Sequence, residues 1–124
     1  MLKSIARRVY STMSTPVGSA PFTQAVVAAM RKLYPEALAD KSFDNTGLLL
    51  EAPYNKERQQ QNSVLLTIDL TKAVADEAIK RRDSCIVAYH PIIFRGLKSL
   101  TLQNTQQQSL LRLAAEGISS SYCY

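Results

Sequence analysis

At 124 residues the chain has the size of one ordinary domain, and 46% hydrophobic residues are enough for a single core. Its apolar runs are strand-length or helically spaced, none approaching the roughly 18 residues a membrane helix needs, so a soluble protein without a membrane span is expected. The net charge of +5 is concentrated near the start: Lys3, Arg7 and Arg8 precede the first acid, Glu36, and without them the remainder carries +2. That is an ordinary surface balance with no basic stripe, and direct nucleic-acid binding is not expected.

The opening MLKSIARRVYSTMSTPVGSA lacks acids and is rich in Arg, Ser and Thr. It sets Leu2, Ile5, Ala6 and Val9 at helical spacing opposite Lys3, Arg7 and Arg8. This is the composition of a mitochondrial transit peptide, and Arg8-Val9-Tyr10-Ser11 resembles a matrix processing pattern with the cut after Tyr10. Residues 1–20 are therefore expected to be an address and 21–124 the folded domain. Initiation at Met13 would give a second, cytoplasmic form.

Over 23–34 the apolar positions Val26, Val27, Met30, Leu33 and Tyr34 follow the spacing of an amphipathic helix, with Thr23 as N-cap and Pro35 as its stop. A connector over 36–41 leads to the turn Asn45-Thr46-Gly47 and a short strand at Leu48-Leu49-Leu50. The stretch 53–62, with three consecutive glutamines, reads as a polar loop. Next, Val64-Leu65-Leu66-Thr67-Ile68-Asp69 is a nearly continuous apolar run, the pattern of a strand covered on both faces. Thr71 can cap a helix pairing Val74 with Ala78 and Ala75 with Ile79, closed by Lys80, Arg81 and Arg82 in favourable alignment with the helix dipole. Ser84-Cys85-Ile86-Val87-Ala88-Tyr89 is the following buried strand.

The result is a βαβ unit, which is right-handed in nearly all proteins and makes its two strands parallel. Leu66, Ile79 and Val87 are expected between sheet and helix. Residues 91–101 form a loop, and Asn104 or Thr105 begins a last helix using Leu110, Leu111, Leu113 and Ala114. Gly117 ends it, and residues 118–124 begin one more strand. Cys85 and Cys123 stand in neither CxxC nor CxxH spacing. They read as a buried small hydrophobe and a loose thiol, which implies a reducing compartment.

Parallel strands deliver Asp69 and the pair Tyr89-His90 to one edge of the sheet, the edge at which open α/β sheets bind ligands. His90 is the only histidine. A lone histidine is more commonly a hydrogen-bonded structural residue than a ligand. Here, however, it ends a buried strand and is followed by Pro91, which pins the backbone. With Asp69 it offers one softer and one harder donor for a divalent metal, too few for tight binding.

Three segments carry a specific resemblance: Phe43-Asp44-Asn45-Thr46-Gly47-Leu48-Leu49, Leu66-Thr67-Ile68-Asp69-Leu70-Thr71 and Tyr89-His90-Pro91-Ile92-Ile93-Phe94-Arg95-Gly96-Leu97-Lys98. In order and spacing they resemble the N-terminal signatures of the Nif-three-like family, also called GTP cyclohydrolase 1 type 2-like proteins. The resemblance implies an α/β fold, one layer of mixed sheet with flanking helices, as the first half of a larger two-part structure. It also implies ring-shaped homo-hexamers and a pair of divalent metals at a His-rich centre. His90 matches a metal ligand of the family's His-His-Pro motif. Tyr89 stands where the first His would be, which leaves the two-metal centre a donor short. Asp69 matches the strand-end acid, and with Tyr89 and Asp44 it is expected to support the ligand or face substrate.

Beyond Ile118 the family continues into a His-Thr segment and a distant His and Glu that complete its site. This sequence instead reads Ser119-Ser120-Ser121-Tyr122-Cys123-Tyr124 and stops, as expected of a truncated form. Two functions are therefore open. One is a metal-dependent hydrolase of a nucleotide-like small molecule, realised in the full-length protein. The other is a non-catalytic interaction or regulatory protein, for which Gln59 to Gln61 and Gln106 to Gln108 offer partner contacts or simply a solvated face. Arg95 and Lys98, just beyond the strand end, are expected to attract an anionic ligand or partner. A fluorescent fusion of residues 1–20 is expected in mitochondria, with a cytosolic pool from Met13. A wholly cytosolic signal excludes import.

Overall fold

The computed structural model describes residues 18–39 and 45–122. The amphipathic start up to residue 17, Phe43, Asp44 and Cys123 lie outside the described residues. Helix α1 (Pro21–Leu33) is followed by a 3-10 turn, Glu36–Leu38, and strand β1 (Gly47–Leu50). Strand β2 (Val64–Thr67), helix α2 (Lys72–Arg81) and strand β3 (Cys85–Ala88) form the βαβ unit, and helix α3 (Thr105–Ala115) leads into strand β4 (Ser119–Tyr122). Among the described residues no helix is long and apolar enough to cross a membrane.

Local chemistry explains most of the boundaries. Thr71 caps α2, its hydroxyl accepting from the Val74 N–H at 3.2 Å, and Asn104 caps α3 by accepting from the Gln107 N–H at 3.0 Å. Gly117 ends α3 at φ +77, a backbone angle suited to glycine, and a Cβ there would meet the Arg58 side chain at 3.0 Å. The α1 boundary differs from expectation. The helix begins at Pro21, whose fixed φ and missing N–H suit the first position, and its N-cap is Ala20. Thr23 therefore lies inside the first turn, buried, with its hydroxyl unpartnered among the described residues.

The four strands form one mixed sheet in the order β1-β4-β3-β2. β2 and β3 are parallel, in the register Val64 with Cys85 through Thr67 with Ala88. β4 runs parallel to β3, and β1 is antiparallel to β4 with an irregularity between Leu48 and Leu50. The last strand is thus central. Its serines are buried: Ser119 accepts from the Ala52 N–H at 2.9 Å, and Ser121 donates to the Gly47 carbonyl at 3.2 Å.

Helices α2 and α3 pack on one face. Leu65, Ile86 and Ala88 of the sheet, Ala75 and Ala78 of α2, and Leu110 and Leu113 of α3 build the core, with Ile79 partly buried beside it. An ion trio joins the two helices outside that core, as Asp76 pairs with Lys72 at 3.0 Å and Arg112 at 2.7 Å. Hydrogen bonds from Lys72 and then Arg112 hold the Asp76 carboxyl below its usual range. Asp83, fully buried after α2, accepts from the Ser63 hydroxyl at 2.5 Å and pairs with Arg81 at 3.2 Å, tying the start of β2 to the start of β3.

Leu66 corrects the sequence reading: it is 76% exposed, whereas its neighbour Val87 is buried at 4%. Both point to the face opposite α2, and on that face α1 lies against β1, the far edge of the sheet. Three strand spacings of about 4.8 Å separate β1 from β2, more than one helix of about 10 Å covers. A continuous apolar run therefore contains a residue the fold leaves in solvent. Truncating Ile86 to Ala should cost about 2 to 5 kcal/mol in chemical denaturation, whereas Leu66→Ala should stay within about 0.5 kcal/mol.

Candidate functional site

The parallel pairing of β2 and β3 continues past both strands. The Tyr89 N–H donates to the Thr67 carbonyl and the His90 N–H to the Ile68 carbonyl, each at 2.9 Å. These bonds carry the register two residues beyond the last ladder pair and set His90 beside Asp69. His90 Nδ1 lies 2.7 Å from Asp69 Oδ1. Since a carboxylate oxygen only accepts, the contact places a proton on Nδ1, and in the neutral ring it is Nε2 that keeps the lone pair. Thr67 steadies the acid's backbone, its hydroxyl donating to the Asp69 carbonyl at 2.9 Å.

Both side chains of the pair are more than half exposed, at 56% and 61%. The contact thus orients the imidazole but adds little stability, on the order of 1 kcal/mol or less for an exposed pair. Tyr89 stands next to it, its ring centroid 5.2 Å from that of His90 and tilted by 53°. Its ring is exposed and makes no hydrogen bond with the pair.

β1 reaches the same edge from the other side. Being antiparallel to β4, it starts there: Gly47 lies opposite Tyr122, which in turn lies beside Ala88. Asn45, just before Gly47, donates from Nδ2 to the Ile93 carbonyl at 2.6 Å, across the end of β4. The loop after His90 is further secured by Ile92, 5% exposed in the core. In the sequence Asn45 reads as a turn residue within the first of the three family-like segments. Its place before the first strand of an antiparallel pair was the available signal.

The glutamines of α3 also have a role that their sequence pattern does not reveal. Gln106 donates to the Ile92 carbonyl at 3.4 Å, Gln107 accepts from the Thr101 N–H at 2.9 Å, and Gln108 donates to the Leu102 carbonyl at 2.5 Å. They fasten both legs of the 91–102 loop to one helical turn. Gln60 is likewise internal, donating to the Gly117 carbonyl at 2.6 Å. Arg95 and Lys98 are exposed on the loop and form no ion pair or hydrogen bond with the His90–Asp69 pair. Cys85 is buried, and burial pushes its thiol up to about 12, which makes it a poor nucleophile.

Among the described residues no three His, Cys, Asp or Glu side chains stand together as a metal-holding group. His90 Nε2 is one well-oriented donor, and Asp69 is already engaged in holding it. The described residues therefore do not by themselves fit a tightly bound metal ion.

The family model described as Duf34/NIF3 (NGG1p interacting factor 3) matches residues 22–123. The protein NIF3 homolog of Schizosaccharomyces pombe is 62% identical over 90 residues, which are 72% of this chain and 31% of that protein. NGG1-interacting factor 3 of Saccharomyces cerevisiae is 42% identical over 103 residues, 79% of this chain and 35% of that one. The crystal structure of a Bacillus cereus protein related to NIF3 superposes with a TM-score of 0.68 at 25% identity, covering 88% of this chain and 28% of that chain. Reduced HcgD from Methanocaldococcus jannaschii shares the fold, with a TM-score of 0.65 at 18% identity over 81% of this chain and 38% of that one. The chain spans about a third of the length of these relatives. In its neutral form the His90 ring should show the Nδ1–H tautomer in nitrogen NMR. Asp69→Ala should move it toward the Nε2–H form while the fold stays intact.

Proposed function

Because the chain belongs to the Duf34/NIF3 family, we propose that it carries one part of a divalent-metal site, with His90 as the metal-facing imidazole and Asp69 as the group that orients it. The observation that supports this reading is the 2.7 Å contact of Asp69 with Nδ1, which directs Nε2 outward at the edge where parallel strands end. A carboxylate on the far nitrogen fixes the tautomer and raises the basicity of the donor nitrogen. On this reading the remaining donors come from parts of the family protein outside these residues. In that longer protein we place a hydrolytic activity toward a nucleotide-like small molecule, and a ring-shaped homo-hexamer as its assembly; both rest on the resemblance of the three motifs.

A non-catalytic reading has its own support. Leu66, Ile68, Tyr89, Phe94, Leu97, Leu100 and Leu102 are large apolar or aromatic residues left exposed on β2, just beyond it, or on and after the end of β3. Large apolar side chains left exposed in that number favour association. One relative carries interaction in its name, NGG1-interacting factor 3, and the description of the family repeats it.

Metal titration tests the first reading. Catalytic zinc generally takes three protein ligands, so the 124-residue chain should bind zinc or manganese only weakly and show no cyclohydrolase activity. Its melting temperature should barely move with added metal, in the parent and in His90→Ala alike. A large metal-dependent rise in the parent that His90→Ala abolishes would mean that the short chain completes a site by itself.

A further inference from the structure

The loop that follows His90 is both anchored and exposed. It is firmly held: Ile92 is buried, Asn45 holds the Ile93 carbonyl, and Gln107 and Gln108 hold Thr101 and Leu102 on the returning leg. Between these anchors every residue from 94 to 100 is exposed, including Phe94 at 56%, Leu97 at 45% and Leu100 at 53%. A loop with tethered ends displays its side chains in a defined arrangement, so little ordering entropy remains to be lost on binding.

Its charge is equally one-sided. From Ser84 to Ala115 the sequence contains no Asp or Glu. Arg95 and Lys98 alternate with the apolar residues, and neither has an ion-pair partner among the described residues. The surface is apolar with a basic fringe.

We propose that the pinned 93–102 loop is a docking surface for a separate polypeptide whose exposed apolar side chains are flanked by carboxylates. Charge complementarity selects that occupant. A second copy meeting this loop about a two-fold axis would set Arg95 and Lys98 against their own images, with no acid in the loop to offset them. Phe94, Leu97 and Leu100 supply the desolvated centre, and the two cations set orientation and approach rate. The proposal is independent of the metal reading, since the loop is built without His90 Nε2.

The test is amide NMR of the whole chain with a short synthetic peptide in which leucine and phenylalanine are interspersed with glutamate, and with its counterpart carrying lysine for glutamate. The glutamate peptide should shift resonances over 93–102 and bind at least tenfold more tightly than the lysine peptide, with the difference shrinking as salt rises. The double variant Arg95→Glu, Lys98→Glu should reverse the preference. Phe94→Ser with Leu97→Ser should abolish binding while the core resonances around Ile86 stay unmoved, which separates lost docking from lost folding. His90→Ala should leave peptide binding unchanged. Equal affinity for both peptides, or shifts mapping elsewhere, overturns the proposal. So does broadening of the loop that depends on protein concentration without peptide, which would assign the surface to a second copy, and so does an equal response to inorganic phosphate, which would make it a simple anion site.

Discussion

The parallel register between β2 and β3 is the constraint from which the site follows. Each ladder pair fixes the next, and the two backbone bonds beyond the strands carry the alignment to Ile68 and His90. A slip of β2 by one residue against β3 would turn Leu65 out of the core and separate Asp69 from the imidazole at the same time. The register is secured at its beginning as well. Buried Asp83 holds Ser63 at the entrance to β2, and the Ser84 N–H donates to the Ser63 carbonyl at 3.0 Å. Stability and site geometry thus share one set of bonds, which is how an exposed and individually weak pair like Asp69–His90 keeps a defined shape.

Much of this was legible in the residues. Thr71, the Ala75–Ala78 face and the two apolar strand runs specify the βαβ unit through local rules, and the unit in turn specifies that Asp69 and His90 share an edge. What escaped was decided by distant chain. Leu66 belongs to an apolar run as continuous as the one around Val87, yet only one of the two strands has neighbours on both sides. Thr23 has the chemistry of an N-cap, but Pro21 is the better first residue and displaces the boundary. The amides of Gln106, Gln107 and Gln108 are polar enough for any surface, and only the path of the preceding loop brings backbone partners to them. Asn45 needed the antiparallel placement of β1, a non-local fact, before its reach to Ile93 could be seen.

The site edge has a built frame and an open front. Asn45, Ile92 and the α3 glutamines fix the loop, while Tyr89 and Phe94 stay in solvent beside the oriented imidazole. Such a frame presents groups to something that arrives from outside the described residues. Both readings of the family member, as a contributor of one metal donor and as a binding surface, use the same frame, and they differ in whether the incoming group is a donor set or a side-chain patch.

The central place of β4 governs how this chain can assemble. Among the described residues every other strand is synthesised before it, and β1 touches the sheet only through β4, so Gly47 must wait for Tyr122. Until then the βαβ unit stands alone with β3 unpaired on one side, and β1 has no hydrogen-bonded neighbour at all. Closure is therefore a late event across a long stretch of chain, the kind of non-local pairing that folds slowly. On a ribosome, the nascent chain would hold the β3 edge open until residues 119–122 emerge, and the three small serines of β4 bury without crowding the strands that pair on either side of them.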